Sequence, residues 1–266
     1  MSDKRRDWLF LVKMPETGIF IFSFTAYVVL TFIYHFIRAY GIGAANYLDR
    51  SELFAFNENA PLWDYFSLII PQLCVMPGIG LYDYICKNKI MSIIHSKESR
   101  YERKMTQNLA YLIFAIVFMG CILSLLLNYL RFESTGITYD DFKLSMAYVN
   151  NMENGDKYVM CRLHIYHPFL YNLIYSVSFS AMCAIISHAT TSFIFGIKEV
   201  KDYMVYIASM ILSFAVYEIY EIGDINIWHF FIVSHKTYEN PAVSLCFVII
   251  LILAPKLIGK VYENVS

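Results

Sequence analysis

Apolar residues in this chain are gathered into six runs, each close to the length that crosses a lipid bilayer. The hydrocarbon core is about 30 Å thick, and a helix needs about 20 mainly apolar residues to cross it. Of the 266 residues, 58% are hydrophobic and 16% are charged, whereas soluble domains carry about 25% charged residues. The sequence therefore predicts an all-α integral membrane protein with six transmembrane helices, at about 17–38, 65–85, 108–130, 169–195, 203–222 and 241–259.

The positions of Lys and Arg predict the orientation of these spans. Cytoplasmic loops of membrane proteins are enriched in both residue types. If the N-terminus is cytoplasmic, 14 of the 21 Lys and Arg residues fall in segments on that side. An even number of spans then places both termini in the cytoplasm. Residues 1–266 are predicted to form a single membrane domain, and only Cys161 of the six cysteines falls in an outer segment, so we expect no extracellular disulfide within the chain.

Three further elements are predicted outside the spans. Residues 4–14 mix Trp8 with basic and aliphatic residues, a pattern typical of a helix lying in the membrane interface. Residues 131–168 form the longest outer loop. The segment 218–238 alternates acids with large apolar residues, which favours a re-entrant helical element before the last span. Within the second span, Pro71 and Pro77 predict a kinked or broken helix.

The most basic part of the chain lies between the second and third spans. Apolar residues recur on one helical face of 88–104, and six Lys and Arg residues surround that face between 87 and 104. Such a helix can lie on anionic lipid or dock a cytoplasmic partner. Nucleic acid is not an expected ligand, because the segment is short and enters the membrane at both ends.

Small and polar residues mark two helix faces as inward-facing. They recur four residues apart, a spacing that allows helices to approach closely within lipid. We expect these faces to serve helix packing or a translocation path. They contain Ser176, Ser180, Ala184 and His188 in the fourth span, and Ser209 and Ser213 in the fifth.

Familiar catalytic and nucleotide-binding motifs are absent from the sequence. It contains no phosphate-binding loop, no zinc-binding His-Glu-x-x-His helix and no Gly-x-Ser-x-Gly turn. Two weaker patterns leave room for an enzyme. His164 and His167 are three residues apart and could share a metal, and Glu218 and Glu221 are acids close to the membrane. Because no base, nucleophile or complete ligand set accompanies them, we expect a chain without catalytic residues and without a cofactor of its own.

The overall layout resembles the permease subunit of a type 2 ABC exporter. The matching stretches are DWLFLVKMPETGIFIF, IMSIIHSKESRYERKMTQNLAYLIFAI and YEIYEIGDINIWHF. The resemblance implies that the 88–104 helix is a coupling helix that docks on separate ABC ATPase subunits, which would bind ATP and Mg²⁺. It also implies a second permease chain, identical or different. The contact with the ATPase would then fall on Ile93, Ile94, Lys97, Arg100, Tyr101 and Arg103.

The expected function is export of an apolar or amphipathic substrate across the cytoplasmic membrane. Peptides, bacteriocins, drugs and lipid-like compounds all belong to this class. Glu218 and Glu221 would then belong to an outer gate. Composition favours a bacterial, multi-pass cell-membrane protein. Two alternatives stay open: a stand-alone protein giving immunity to a bacteriocin, and an intramembrane enzyme that uses the acids of 217–241.

Overall fold

The computed structural model is built from α-helices. It describes residues 3–42, 54–56, 60, 62–87, 98–134, 163 and 167–197, together with positions 204, 207, 210, 211, 231, 232, 249, 250 and 253. Five helices lie in these ranges: α1 (Asp3–Lys13), α2 (Pro15–Ile42), α3 (Trp63–Lys87), α4 (Glu98–Ser134) and α5 (Pro168–Ile197).

Local sequence explains where several helices begin. Pro15 and Pro168 are the first residues of α2 and α5, a position where the missing N–H of proline costs no hydrogen bond. Glu16 and Asp64 lie in the first turns of α2 and α3, where a negative charge is stabilised by the helix dipole. Lys13 lies in the last turn of α1, where the dipole favours a positive charge.

Four of the helices are long and apolar enough to cross a membrane, which indicates a multi-pass membrane protein. The candidate spans are Pro15–Ile37, Trp63–Ile85, Tyr101–Leu127 and Phe169–Phe195. The predicted all-helical class and the first four predicted spans are therefore confirmed as apolar helices of sufficient length. Of the last two predicted spans, the structure describes seven residues, all helical with exposed apolar side chains: Met204, Ile207, Met210, Ile211, Ile249, Ile250 and Leu253.

The four long helices are arranged as a ring. Helix α5 packs most extensively against α4 and then against α3, and α2 completes the ring by contacting both α3 and α4. The short helix α1 packs against α2 and α4. We call the end of the ring beside α1 the basal end and the opposite end the distal end.

Helix α3 continues through Pro71 and Pro77 without a break. Close packing surrounds its basal half. A Cβ atom added at Gly78 would clash with the Thr191 hydroxyl of α5 and lie 3.2 Å from its Cβ, and one added at Gly80 would clash with the Glu16 side chain of α2. The two glycines therefore let neighbouring helices approach the backbone of α3 closely.

Candidate functional site

The least regular buried segment of the described chain is a short insert, Phe54–Phe56, from the connection between α2 and α3. All three residues are non-helical, and they are 0%, 1% and 0% exposed. They belong to the main hydrophobic core, with residues from all four long helices. The insert therefore lies inside the helical ring.

The backbone of Ala55 is held by two side chains from different helices. The Tyr27 hydroxyl of α2 donates a hydrogen bond to the Ala55 carbonyl oxygen. The Ala55 N–H donates to the Ser124 hydroxyl oxygen of α4, with a donor–acceptor distance of 3.0 Å. A buried peptide group without such partners would be costly, especially at membrane depth. The two hydroxyls explain how a non-helical segment is accommodated here.

Aromatic rings form the walls around the insert. The Phe56 ring lies 5.5 Å from the ring of Tyr27 and 5.0 Å from that of Phe179 in α5, measured between centroids. Tyr27 in turn stacks on Phe66 of α3 at 3.8 Å, with the rings almost parallel. Phe56 thus bridges α2 and α5, which occupy opposite corners of the ring. We call Tyr27, Phe66, Ser124 and Phe179 the insert site.

The insert lies well inside the apolar spans. Tyr27 comes ten residues before Ile37, the end of its span, and Phe179 comes ten residues after Phe169, the start of its span. At 1.5 Å per residue, each lies about 15 Å from that end. The ring of Trp63, the first residue of α3, lies 5.9 Å from that of Phe179. The insert therefore contacts α2, α4 and α5 near the first residue of α3.

The basal end is held by a different type of contact. Lys104 of α4 and Asp7 of α1 form an ion pair with 2.7 Å between Nζ and Oδ2. The Asp7 side chain is 9% exposed, whereas that of Lys104 is 44% exposed. The pair therefore joins the buried face of α1 to the first turns of α4.

Helix α4 connects these two regions. It runs as one helix from Glu98 to Ser134, so that Lys104 at the basal end and Ser124 at the insert lie on the same element. They are 20 residues apart, which corresponds to about 30 Å along a helix. The same helix therefore contributes both to the ion pair with α1 and to the contact with the insert.

Of the six predicted coupling residues, the structure places Arg100, Tyr101 and Arg103 at this basal end. Tyr101 is half-buried and packs against the core, and Arg103 is exposed. Arg100 belongs to α4, but its side chain is not described. Ile93, Ile94 and Lys97 lie outside the described residues. The half of the predicted coupling helix that is described is continuous with the predicted third span.

The polar face predicted for the fourth span lies on α5. Ser176 and Ser180 are buried, and Ala184 and His188 are half-buried. The two serine hydroxyls donate to carbonyl oxygens four residues earlier, at 2.8 and 2.6 Å. Both also lie close to the Cys121 thiol of α4. The structure therefore places this part of the face in the α4–α5 contact.

The remaining predicted site residues are not covered by the structure. Ser209, Ser213, Glu218 and Glu221 lie outside the described residues. From the predicted re-entrant element, 218–238, the structure describes Phe231 and Ile232, and Ile232 is fully buried in the main core.

Metal ligands do not cluster within the described part of the chain. No group of three or more His, Cys, Asp or Glu side chains in that part could hold a metal ion. His167 is exposed, and its possible partner His164 lies outside the described positions. Cys74, Cys121 and Cys183 are buried free thiols in the ring, an environment in which a free cysteine behaves as a small apolar residue.

Sequence reasoning did not identify the insert. The connection that contains it, 39–64, falls between the first two predicted spans and is therefore expected to be an outer loop. A local signal is present nonetheless, because the apolar run Leu53–Phe56 stands between polar residues on both sides. Comparisons of the chain with protein-family models, curated proteins and solved structures gave no match.

Proposed function

We propose that this chain is the transmembrane permease subunit of an ATP-driven ABC exporter. In this proposal the chain has six spans with both termini in the cytoplasm, and the basal end of the ring faces the cytoplasm. Separate ATPase subunits bind the segment 88–104, and a second permease chain completes the transporter. The substrate is apolar or amphipathic.

The continuity of α4 is the observation that supports this proposal best. A transporter driven by a separate ATPase needs a rigid connection from its cytoplasmic surface to the membrane interior. Helix α4 begins at Glu98, within the basic segment, and reaches past Ser124 at the insert site. The Asp7–Lys104 ion pair links α1 to this helix, so that in the proposal the two helices move together. Exposed Arg103 remains accessible to a partner at the basal end.

Purification from native membranes tests the proposal. An ABC ATPase should co-purify with the full-length chain in mild detergent. Arg103→Glu should reduce the amount of retained ATPase at least tenfold, because it reverses a charge at the proposed contact. Arg131→Glu is the matched control, since it makes the same change near the other end of α4 and should leave retention unchanged.

Two results would contradict the proposal. One is the absence of any ATPase from the purified wild-type chain, which is the result expected of a stand-alone immunity protein. The other is equal retention by the Arg103 and Arg131 variants, which would place the contact elsewhere.

A further inference from the structure

The insert is bound as a ligand would be bound. Its three residues have no helical or strand structure of their own, and the surrounding helices supply their contacts. One wall donates to a peptide carbonyl and another accepts from a peptide N–H. The aromatic rings of Tyr27 and Phe179 contact the side chain of the next residue, Phe56. These features define a site for one residue of a peptide backbone with large apolar side chains on both sides.

We propose that the insert site is a binding site for an apolar peptide segment, and that Phe54–Phe56 occupies it as a tethered substitute. This inference rests on the proposed export function and deepens it by naming the substrate class as peptide. A free peptide of the same chemistry would take the place of the insert and make the same contacts.

The chemistry of the contacts favours a peptide over other apolar molecules. Tyr27 and Ser124 satisfy a carbonyl and an N–H that belong to the same residue, Ala55. A hydrocarbon chain would leave both hydroxyls without that partner. Trp63, beside Phe179, offers a further donor, because its buried Nε1 has no hydrogen-bond partner among the described residues. A carbonyl of a longer peptide could meet it.

Competition between the insert and a free peptide makes the proposal testable. A peptide binds only molecules whose site is vacated, so its apparent affinity falls with the fraction of vacated sites. Weakening the insert should therefore strengthen peptide binding. Phe56→Ala weakens the insert, because it removes the ring that contacts Tyr27 and Phe179. Phe22→Ala is the matched control, since the Phe22 ring lies on α2 but is 74% exposed.

The experiment titrates the full-length chain in detergent with the tripeptide Ac-Phe-Ala-Phe-amide by calorimetry. The Phe56→Ala variant should bind it at least tenfold more tightly than the wild type, and Phe22→Ala should match the wild type. Ac-Phe-Pro-Phe-amide controls for partition into the micelle. Its proline lacks the N–H that Ser124 would accept, so it should bind Phe56→Ala about fivefold more weakly.

Equal affinity of Phe56→Ala and wild type for the alanine peptide would overturn the proposal, as would equal binding of the alanine and proline peptides. If Phe56→Ala is not monodisperse, Phe56→Leu takes its place, because it keeps an apolar side chain but loses the ring contacts. It should gain at least threefold in affinity, and no gain would also overturn the proposal. Because no ATPase is present in this assay, failure of the peptide site and failure of the export function are separate results.

Discussion

The distal and basal halves of the ring are held together in opposite ways. At the distal half, side chains surround a non-helical insert in which Tyr27 binds the C=O of Ala55 and Ser124 binds its N–H. At the basal half, side chains of α5 and α2 pack against the backbone of α3 at Gly78 and Gly80. An ion pair joins α1 to α4. Contacts to an insert can be exchanged for contacts to another molecule, whereas a closely packed glycine contact cannot. In the proposed exporter, the distal half would exchange the insert for substrate, and the basal half would transmit movement.

The largest expected effect comes from removing the ring of Phe56. Phe56→Ala should lower the free energy of unfolding by about 3–5 kcal/mol, because a buried aromatic side chain is replaced by a cavity. Thermal unfolding in detergent would measure this loss. Phe22→Ala, at an exposed position of α2, should change the midpoint little. Similar losses of unfolding free energy at both positions would show that the Phe56 ring stabilises the fold no more than an exposed ring does.

Next comes the hydrogen bond from Tyr27. Tyr27→Phe keeps the ring stacked on Phe66 but leaves the Ala55 carbonyl without that donor. The expected loss is about 1–3 kcal/mol, the usual range for a buried polar group that loses its partner. Tyr111→Phe, at a residue that is 66% exposed, provides the comparison. An unchanged midpoint for Tyr27→Phe would mean that the hydroxyl does not stabilise the insert.

The glycine contact of the basal half gives a prediction of similar or smaller size. Gly78→Ala should cost about 1–3 kcal/mol, because the added methyl group pushes against Thr191 and α3 and α5 must separate. Gly120→Ala has no atom within 4 Å of the new methyl group and should be neutral or stabilising by about 0.5–1 kcal/mol. If the two variants unfold at the same temperature, α3 and α5 are not closely packed at Gly78.

The ion pair between Asp7 and Lys104 should have the smallest effect. Lys104 is partly exposed, so solvent screens the interaction. A double-mutant cycle with Asp7→Ala and Lys104→Ala should give a coupling energy of about 1 kcal/mol or less. Unfolding in high salt should reduce it further. A coupling energy as large as the loss caused by Phe56→Ala would mean that the ion pair of the basal half stabilises the fold as much as the packing of the insert.

The helical framework could be predicted because membrane depth constrains composition over long stretches. Four runs of about 20 apolar residues became four helices of the expected length. The start of α4 could not be placed, because a basic amphipathic segment and an apolar span follow the same helical period. Their described parts form one helix from Glu98 onward.

The insert site was harder to predict for a different reason. Its parts come from positions far apart in the chain: Tyr27 is 28 residues from Ala55, and Ser124 is 69 residues from it. Hydropathy and periodicity report on neighbours within a few turns, so they cannot bring these residues together. Serine spacing did identify Ser176 and Ser180, which are buried. Their role in packing or in a translocation path stays a prediction.

The separation of the bonded residues also sets an order of assembly during synthesis. Asp7 lies 97 residues before Lys104, and a ribosome adds about 5–20 residues per second. Asp7 therefore waits about 5–20 s for its partner to be made. The insert meets Tyr27 soon after it is synthesised, but Ser124 follows 69 residues later, and Phe179 later still. For that interval the backbone of Ala55 has only one of its two final hydrogen bonds, and the proposed peptide site is incomplete.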